Sequence, residues 1–291
     1  MIVRLVHVFA VLIAASAAVL AGGNILNASE RQSVTTTYSM KVDGLTRSWE
    51  EIVPVAPLPK SAPIIVMLSG VSEPVQGEID RDYLVPYANA DEAEVVYPVA
   101  YHESWNAIGC CGIASTKNVN DVGFLTQLAA RIDPGHVRPI DLVGYSNGGR
   151  LAYRMACNAP GVFDEIAVVK ADPEESCVVK KPQDILHVAA LDDTAVPYEP
   201  GDVGTETPPA TVENTRLLAT DKCATKANVT QKTPRMQYSE WTGCANGSRI
   251  AFAVYSVGGH NFPPQTKTQP AVASVIWSFF NDDRTIAPLP S

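Results

Sequence analysis

The stretch Asp141-Leu142-Val143-Gly144-Tyr145-Ser146-Asn147-Gly148-Gly149-Arg150 decides the fold of this chain. It holds a G-x-S-x-G pattern, Gly144 to Gly148, directly after the apolar residues Ile140, Leu142 and Val143. A serine so placed marks a nucleophile elbow, a sharp strand-to-helix turn that lifts one hydroxyl above a sheet. The turn brings two backbones together, and Gly144, Gly148 and Gly149 leave the room. After it, Leu151, Ala152, Met155 and Ala156 recur at helical spacing, until Asn158-Ala159-Pro160-Gly161 stops the run. A glycine-rich surface turn matches the same short pattern, so the rest of the chain has to supply the serine's partners.

Outward from this turn, strands alternate with helices. Tyr38 to Val53 reads as a hairpin turning at Asp43-Gly44. Ala62 to Leu68 and Glu94 to Pro98 are apolar runs of the buried parallel kind, with a helix over Ile79 to Ala90 between them. Asn120 or Asp121 starts a helix striped by Val122, Leu125, Leu128, Ala129 and Ile132, which Asp133-Pro134-Gly135 ends. Further strands are read over Val137 to Val143, Ile166 to Lys170, Ile185 to Ala190 and Ile250 to Val257, and helices over Thr211 to Ala219 and Ala271 to Phe280. This order predicts an α/β fold, a mostly parallel sheet covered by helices on both faces. The irregular stretch from Pro197 to Ala210 reads as the rim of a site rather than a linker.

With 291 residues, 46% hydrophobic and 18% charged, the chain can bury a substantial core. The net charge of −9 and the scattered basic residues argue against nucleic acid or an anionic membrane as partner. Met1 to Arg4 ends in a cation and Leu5 to Leu20 is apolar apart from His7 and Ser16, which predicts a signal peptide cut near Ala21 or Gly22. An uncleaved anchor is the alternative, since the run is just short of a bilayer span. The expected organisation is a signal peptide over residues 1–21, a polar lead-in over 22–37 and a single catalytic domain over 38–291, exported to the periplasm or outside the cell.

Export fits the cysteines. Cys110, Cys111, Cys157, Cys177, Cys223 and Cys244 follow the leader, none has metal-ligand spacing with a histidine, and the even count predicts disulfides and no metal site. Adjacent Cys110 and Cys111 are open to bridging each other, pairing elsewhere or staying reduced. Asn27, Asn228 and Asn246 are glycosylation acceptors if the source is eukaryotic.

A serine nucleophile needs a base, and the base needs an acid to hold its tautomer. After such an elbow the order is serine, acid, histidine, the last two on loops after later strands. Two histidines follow Ser146. His187 lies inside an apolar strand and reads as structural, whereas His260 follows a strand through Gly258-Gly259 and is the expected base. Asp192 and Asp193 both fit the acid's position, and one of the two reads as a solvated neighbour. An oxyanion hole needs two main-chain N–H groups. Asn147 supplies one, and Val71, after Ser69-Gly70, is the expected second, although a plain strand-ending glycine fits that site equally. Trp105 and Phe262 are candidates for the acyl pocket wall and equally for the core.

With these residues placed, the chain resembles the secreted esterase family of polyhydroxybutyrate depolymerases, feruloyl esterases and acetylxylan esterases, which are α/β-hydrolases. The resemblance spans about Tyr38 to Asp282 and rests on Asp43 to Arg47, Ser104-Trp105-Asn106 with Cys110-Cys111-Gly112, Asn120 to Phe124, Gly144 to Gly149, and Gly258-Gly259-His260. It implies Asp193 as the acid, because relatives carry an aspartate, two residues, then Val-Pro-Tyr, as Asp193 to Tyr198 does here. It also implies bridges Cys157 to Cys177 and Cys223 to Cys244. This chain departs from the family in three places. Ser69 and Ala189 stand where relatives have the histidine of His-Gly, and Phe262 where they have tryptophan.

The resemblance implies a serine esterase that needs no cofactor. Its substrate would be a hydroxyalkanoate oligomer or an esterified plant polysaccharide, with no nucleic acid partner and no membrane contact after cleavage. The alternative is a secreted binding protein on the same scaffold, motivated by the altered Ser69 and Ala189 positions.

Overall fold

The computed structural model describes residues 33–107, 109–172, 178–196, 198–199, 210–283 and 285–290. The expected signal peptide, most of the lead-in, Cys177, Pro197 and nearly all of the expected rim loop lie outside them. The first elements are a hairpin, β1 (Ser33–Val42) and β2 (Leu45–Pro54). Its two-residue turn puts Asp43 at φ 48° and Gly44 at φ 83°, the pair of positive values that matches the twist of the strands. Next come β3 (Ile64–Leu68) and β4 (Glu94–Pro98), in which every residue is buried, as the apolar residues of β3 and Val95 to Pro98 of β4 require, with Glu94 paired to Arg138 at 2.6 Å.

Between β3 and β4 the single helix expected over Ile79 to Ala90 is instead two short ones, α1 (Val75–Asp82) and α2 (Val85–Asn89). Pro86 lacks the N–H that a continuous helix would need there, and it sits in the first turn of α2. Tyr83 turns left-handed at φ 62°, and the Asp82 carboxylate accepts the Leu84 N–H at 2.8 Å.

Then follow α3 (Gly112–Thr116), α4 (Asp121–Ile132), β5 (Ile140–Tyr145), α5 (Asn147–Asn158), β6 (Glu165–Val169), β7 (Asp184–Ala190) and α6 (Ala210–Thr220). The Asn120 side chain caps α4 by accepting the Gly123 N–H at 2.9 Å. β8 (Val229–Lys232) and β9 (Met236–Trp241) form a hairpin not expected from the sequence, because β8 is a short, polar edge strand with little apolar content. Last come β10 (Ile250–Tyr255) and α7 (Val272–Phe280).

The strands lie in the order β1-β2-β4-β3-β5-β6-β7-β10-β9-β8. From β4 to β10 all neighbours are parallel, and antiparallel strands border this centre on both sides. Alternate residues of β3 and β5 feed the two faces. Val66, Leu68 and Leu142 pack with Phe124, Leu128, Leu151 and Met155, while Ile65, Met67 and Val143 pack with Tyr87, Ile276 and Phe279. Parallel strands bring their carboxyl ends to one edge, where crevices in open α/β sheets lie. The segments after β3, β5, β7 and β10 therefore meet there.

Candidate active site

Ser146 stands between β5 and α5 at φ 52° and ψ −116°, left-handed backbone that costs a non-glycine residue energy and is held only by its surroundings. Two glycines make those surroundings possible. A Cβ on Gly144 would lie 2.3 Å from the Gly148 carbonyl oxygen, and one on Gly148 would lie 2.4 Å from that of Leu68. The start of α5 is thus pressed against the end of β3. The Ser146 N–H donates to Val169 of β6 at 2.9 Å.

The hydroxyl of Ser146 lies 2.8 Å from Nε2 of His260, and Nδ1 of His260 lies 2.9 Å from one Asp193 oxygen and 3.2 Å from the other. With the ring protonated on Nδ1, the serine donates to the imidazole and the imidazole donates to the carboxylate. The Asp193 side chain is 1% exposed, whereas that of His260 is 25% exposed and can meet a substrate. Burial alone would raise the Asp193 pKa. The hydrogen bonds from His260 and from the N–H groups of Val196 (3.0 Å) and Ala195 (2.9 Å) outweigh it and hold the carboxyl below its ordinary value.

Beside the serine, Gly70 follows β3 and its Cα faces the Tyr145 ring, 3.0 Å from where a Cβ would stand. Among the described residues, neither the Val71 nor the Asn147 main-chain N–H donates to another protein group. Asn147 does more than offer its main chain. Its side-chain oxygen accepts the Trp105 N–H at 2.7 Å, and its amide nitrogen donates to the carbonyls of Trp105 (3.2 Å) and Cys110 (3.3 Å).

Trp105 and Phe262 are both buried. Trp105 is 0% exposed, its indole N–H donates to the Ser69 carbonyl at 3.0 Å, and it ties the end of β3 to the elbow. Phe262 is buried against the Tyr145 ring at 5.3 Å. Both aromatics support the loops from beneath, a role that aromatic character on a loop cannot distinguish from substrate contact.

Asp192 is the neighbour of Asp193. It is exposed, as expected of a solvated residue, but it is also engaged: its carboxylate accepts the N–H groups of Gly258 (3.1 Å) and Gly259 (2.8 Å). The Tyr145 hydroxyl donates to the His260 carbonyl at 2.7 Å. Neither contact has a sequence signature, because each joins a side chain to a distant main chain.

Behind the loop of Asp192 and Asp193, Lys170 and His187 are buried, the latter wholly and beside the Tyr153 hydroxyl at 3.0 Å, as a structural histidine. Burial lowers Lys170 to about 8 despite the pull of Asp193 and Asp192, and burial with nearby Lys170 lowers His187 to about 3. Cys110 bridges Cys111, and Cys223 bridges Cys244. The pairing expected of Cys157 involves Cys177, outside the described residues. Among the described residues, no group of three or more His, Cys, Asp or Glu side chains is arranged to hold a metal ion, and no helix is long and apolar enough to cross a membrane.

Strand order, a sharp strand-to-helix turn at Ser146 after β5 and helices on both faces define an α/β-hydrolase fold. Comparison with known proteins agrees. The acetyl xylan esterase of Aspergillus awamori superposes with a TM-score of 0.55 at 12% identity, over 84% of this chain and 99% of that one. A thermostable esterase superposes with a TM-score of 0.50 at 16% identity, over 78% of this chain and 55% of that one. In sequence, the chain is 26% identical over 263 residues to the esterase candidate NocK of Nocardia uniformis subsp. tsuyamanensis, covering 80% of this chain and 76% of that protein. No family model matches the chain.

Proposed function

We propose that this protein is an exported serine esterase that hydrolyses carboxylic esters through an acyl-enzyme, with one catalytic domain over residues 38–291. The reading is carried by the unbroken hydrogen-bonded chain from Ser146 Oγ through His260 to Asp193. The similarity to NocK and to the two esterase structures supports it.

In this scheme the Ser146 oxygen attacks the ester carbonyl carbon while His260 Nε2 takes the hydroxyl proton. The carbonyl oxygen becomes an oxyanion and receives the N–H groups of Asn147 and Val71. The tetrahedral intermediate collapses, the C–O bond to the alcohol breaks, and His260 returns the proton to the departing oxygen. Water then attacks the acyl-serine, giving up a proton to the same imidazole, which returns it to Ser146 Oγ as the bond from the acyl carbon to that oxygen breaks and the acid leaves. Asp193, held ionised, keeps the ring in its tautomer and stabilises the imidazolium. The scheme uses side chains, main-chain amides and water.

Export rests on the apolar leader and the cysteines. The substrate is a hydroxyalkanoate oligomer or a feruloylated or acetylated plant polysaccharide. A fluorophosphonate probe tests the mechanism: wild type should label and Ser146→Ala should not, and absence of labelling in both overturns it. Comparing the release of 3-hydroxybutyrate, ferulate and acetate by wild type then separates the substrates.

A further inference from the structure

The base stands on a loop that has to be held, and three contacts hold it. Gly258 and Gly259 have φ of 140° and 50°, so the chain leaves β10 through backbone that L side chains rarely adopt. Their N–H groups donate to the two oxygens of Asp192, at 3.1 and 2.8 Å. One residue later the His260 carbonyl accepts the Tyr145 hydroxyl, and the His260 ring meets Asp193. The main chain is thus gripped before the histidine, at it and through its ring.

We propose that Asp192 is a positioning residue for His260: the two adjacent aspartates divide one task, Asp193 orienting the imidazole and Asp192 fixing the main chain that carries it. The proposal rests on the esterase reading for its effect on turnover, but not for the contact itself. Adjacency makes the division possible. Asp192 and Asp193 leave β7 together, and β7 is the parallel neighbour of β10, with Ala190 opposite Tyr255. A short loop from one strand therefore reaches both the ring and the backbone of the loop from the other. The Leu191 N–H donates to the Tyr255 carbonyl at 2.9 Å, continuing the ladder to the point where the carboxylates take over.

A carboxylate suits this task because each oxygen accepts one N–H, and a hydrogen bond to a charged acceptor is stronger than one to a neutral group. Asparagine keeps one acceptor oxygen and replaces the other with a donor that faces an N–H. Alanine keeps neither. Because Asp192 is exposed, its loss leaves no buried group unpaired on its own side, and the freed N–H groups can turn to water.

The test compares wild type, Asp192→Asn and Asp192→Ala by amide hydrogen exchange over 257–262 and by steady-state kinetics on a small nitrophenyl ester. Exchange should quicken in the order wild type, Asn, Ala, with the melting temperature nearly unchanged. Misplacement of a catalytic group costs up to roughly a hundredfold, so kcat should fall about ten- to hundredfold in Asp192→Ala, with KM within about twofold and Asn intermediate. Equal exchange in all three proteins overturns the holding role. Faster exchange with unchanged kcat in an active protein overturns the link to turnover. A wild type inert to both ester and fluorophosphonate condemns the esterase reading instead, and the exchange result then still decides the contact.

Discussion

The Tyr145 hydroxyl donates to the main-chain carbonyl of His260 at 2.7 Å, so the residue before the proposed nucleophile holds the residue that carries its base. The same ring lies 5.4 Å from the imidazole and has the Arg81 guanidinium over its face at 4.3 Å. Arg81 is in turn fixed by Glu73 at 2.9 Å and Glu78 at 2.6 Å. Serine and histidine, 114 residues apart in sequence, are thereby set against one rigid platform. Tyr145→Phe keeps the ring and removes the hydrogen bond. It should lower kcat several-fold with KM little changed, and reduce stability by about 1 kcal/mol, the usual net worth of one hydrogen bond. Steady-state kinetics and a denaturant titration check both.

How far this arrangement is legible in sequence depends on the kind of contact. The proposed triad of Ser146, Asp193 and His260 stands out because that chemistry demands three residue types in a fixed order, each just after a strand, and the apolar runs of β5, β7 and β10 locate those strands. Tyr145 and Asp192 stay hidden because their partners are main-chain atoms, which every residue has. Trp105 is visible as an aromatic in a loop, yet only the fold reveals that it is buried under Ser69 rather than open to substrate. Similarly, the break at Tyr83 and the hairpin of β8 and β9 follow from Pro86 and from edge position, each weaker than the apolar periodicity around it.

Asn147 supports a second prediction. Its main-chain N–H survives substitution, so Asn147→Ala isolates the side chain, which ties Trp105 and Cys110 to the elbow. The variant leaves the buried Trp105 N–H unpaired, at a cost of about 1–3 kcal/mol. Activity should fall more than Tyr145→Phe lowers it, because the tie also fixes Ser69 through the Trp105 indole and so the loop bearing Val71. Thermal melting and kcat together check this, and a normal kcat in a destabilised protein would confine Asn147 to a structural role.

Activity should also depend on pH in one direction at the acid side. Protonating the proposed base would stop proton transfer, while Asp193 is held below the ordinary carboxylate value and stays ionised as pH falls to that value. The acid limb of kcat/KM should therefore follow a single group. Asp193→Asn should cost roughly 10⁴-fold in kcat, since an amide opposite Nδ1 favours the wrong tautomer. A limb with the slope of two protons would show that Asp193 titrates with the histidine.

Stability should follow pH through buried groups outside the proposed triad. Asp141 in β5 is raised to about 8 by burial and by neighbouring Asp164, and Asp172 after β6 is raised to about 8 by burial and by nearby Glu213. Each is protonated in the folded protein at a pH where the unfolded chain has released its proton. The stability they contribute is fully present below the ordinary carboxylate value and is lost as pH rises to about 8. The slope is at most about 1.4 kcal/mol per pH unit for each group. Lys170 acts oppositely in a later window. Lowered to about 8 by burial, it gives stability back between that pH and its ordinary value of 10.5. The melting temperature should thus fall from pH 5 to pH 8 and then level off. Asp141→Asn, which cannot ionise and keeps the oxygen that accepts the Glu165 N–H at 3.2 Å, should flatten the first part of that curve. Melting curves of both proteins across pH 5 to 9 check it, and parallel curves would mean that Asp141 is ionised in the folded state.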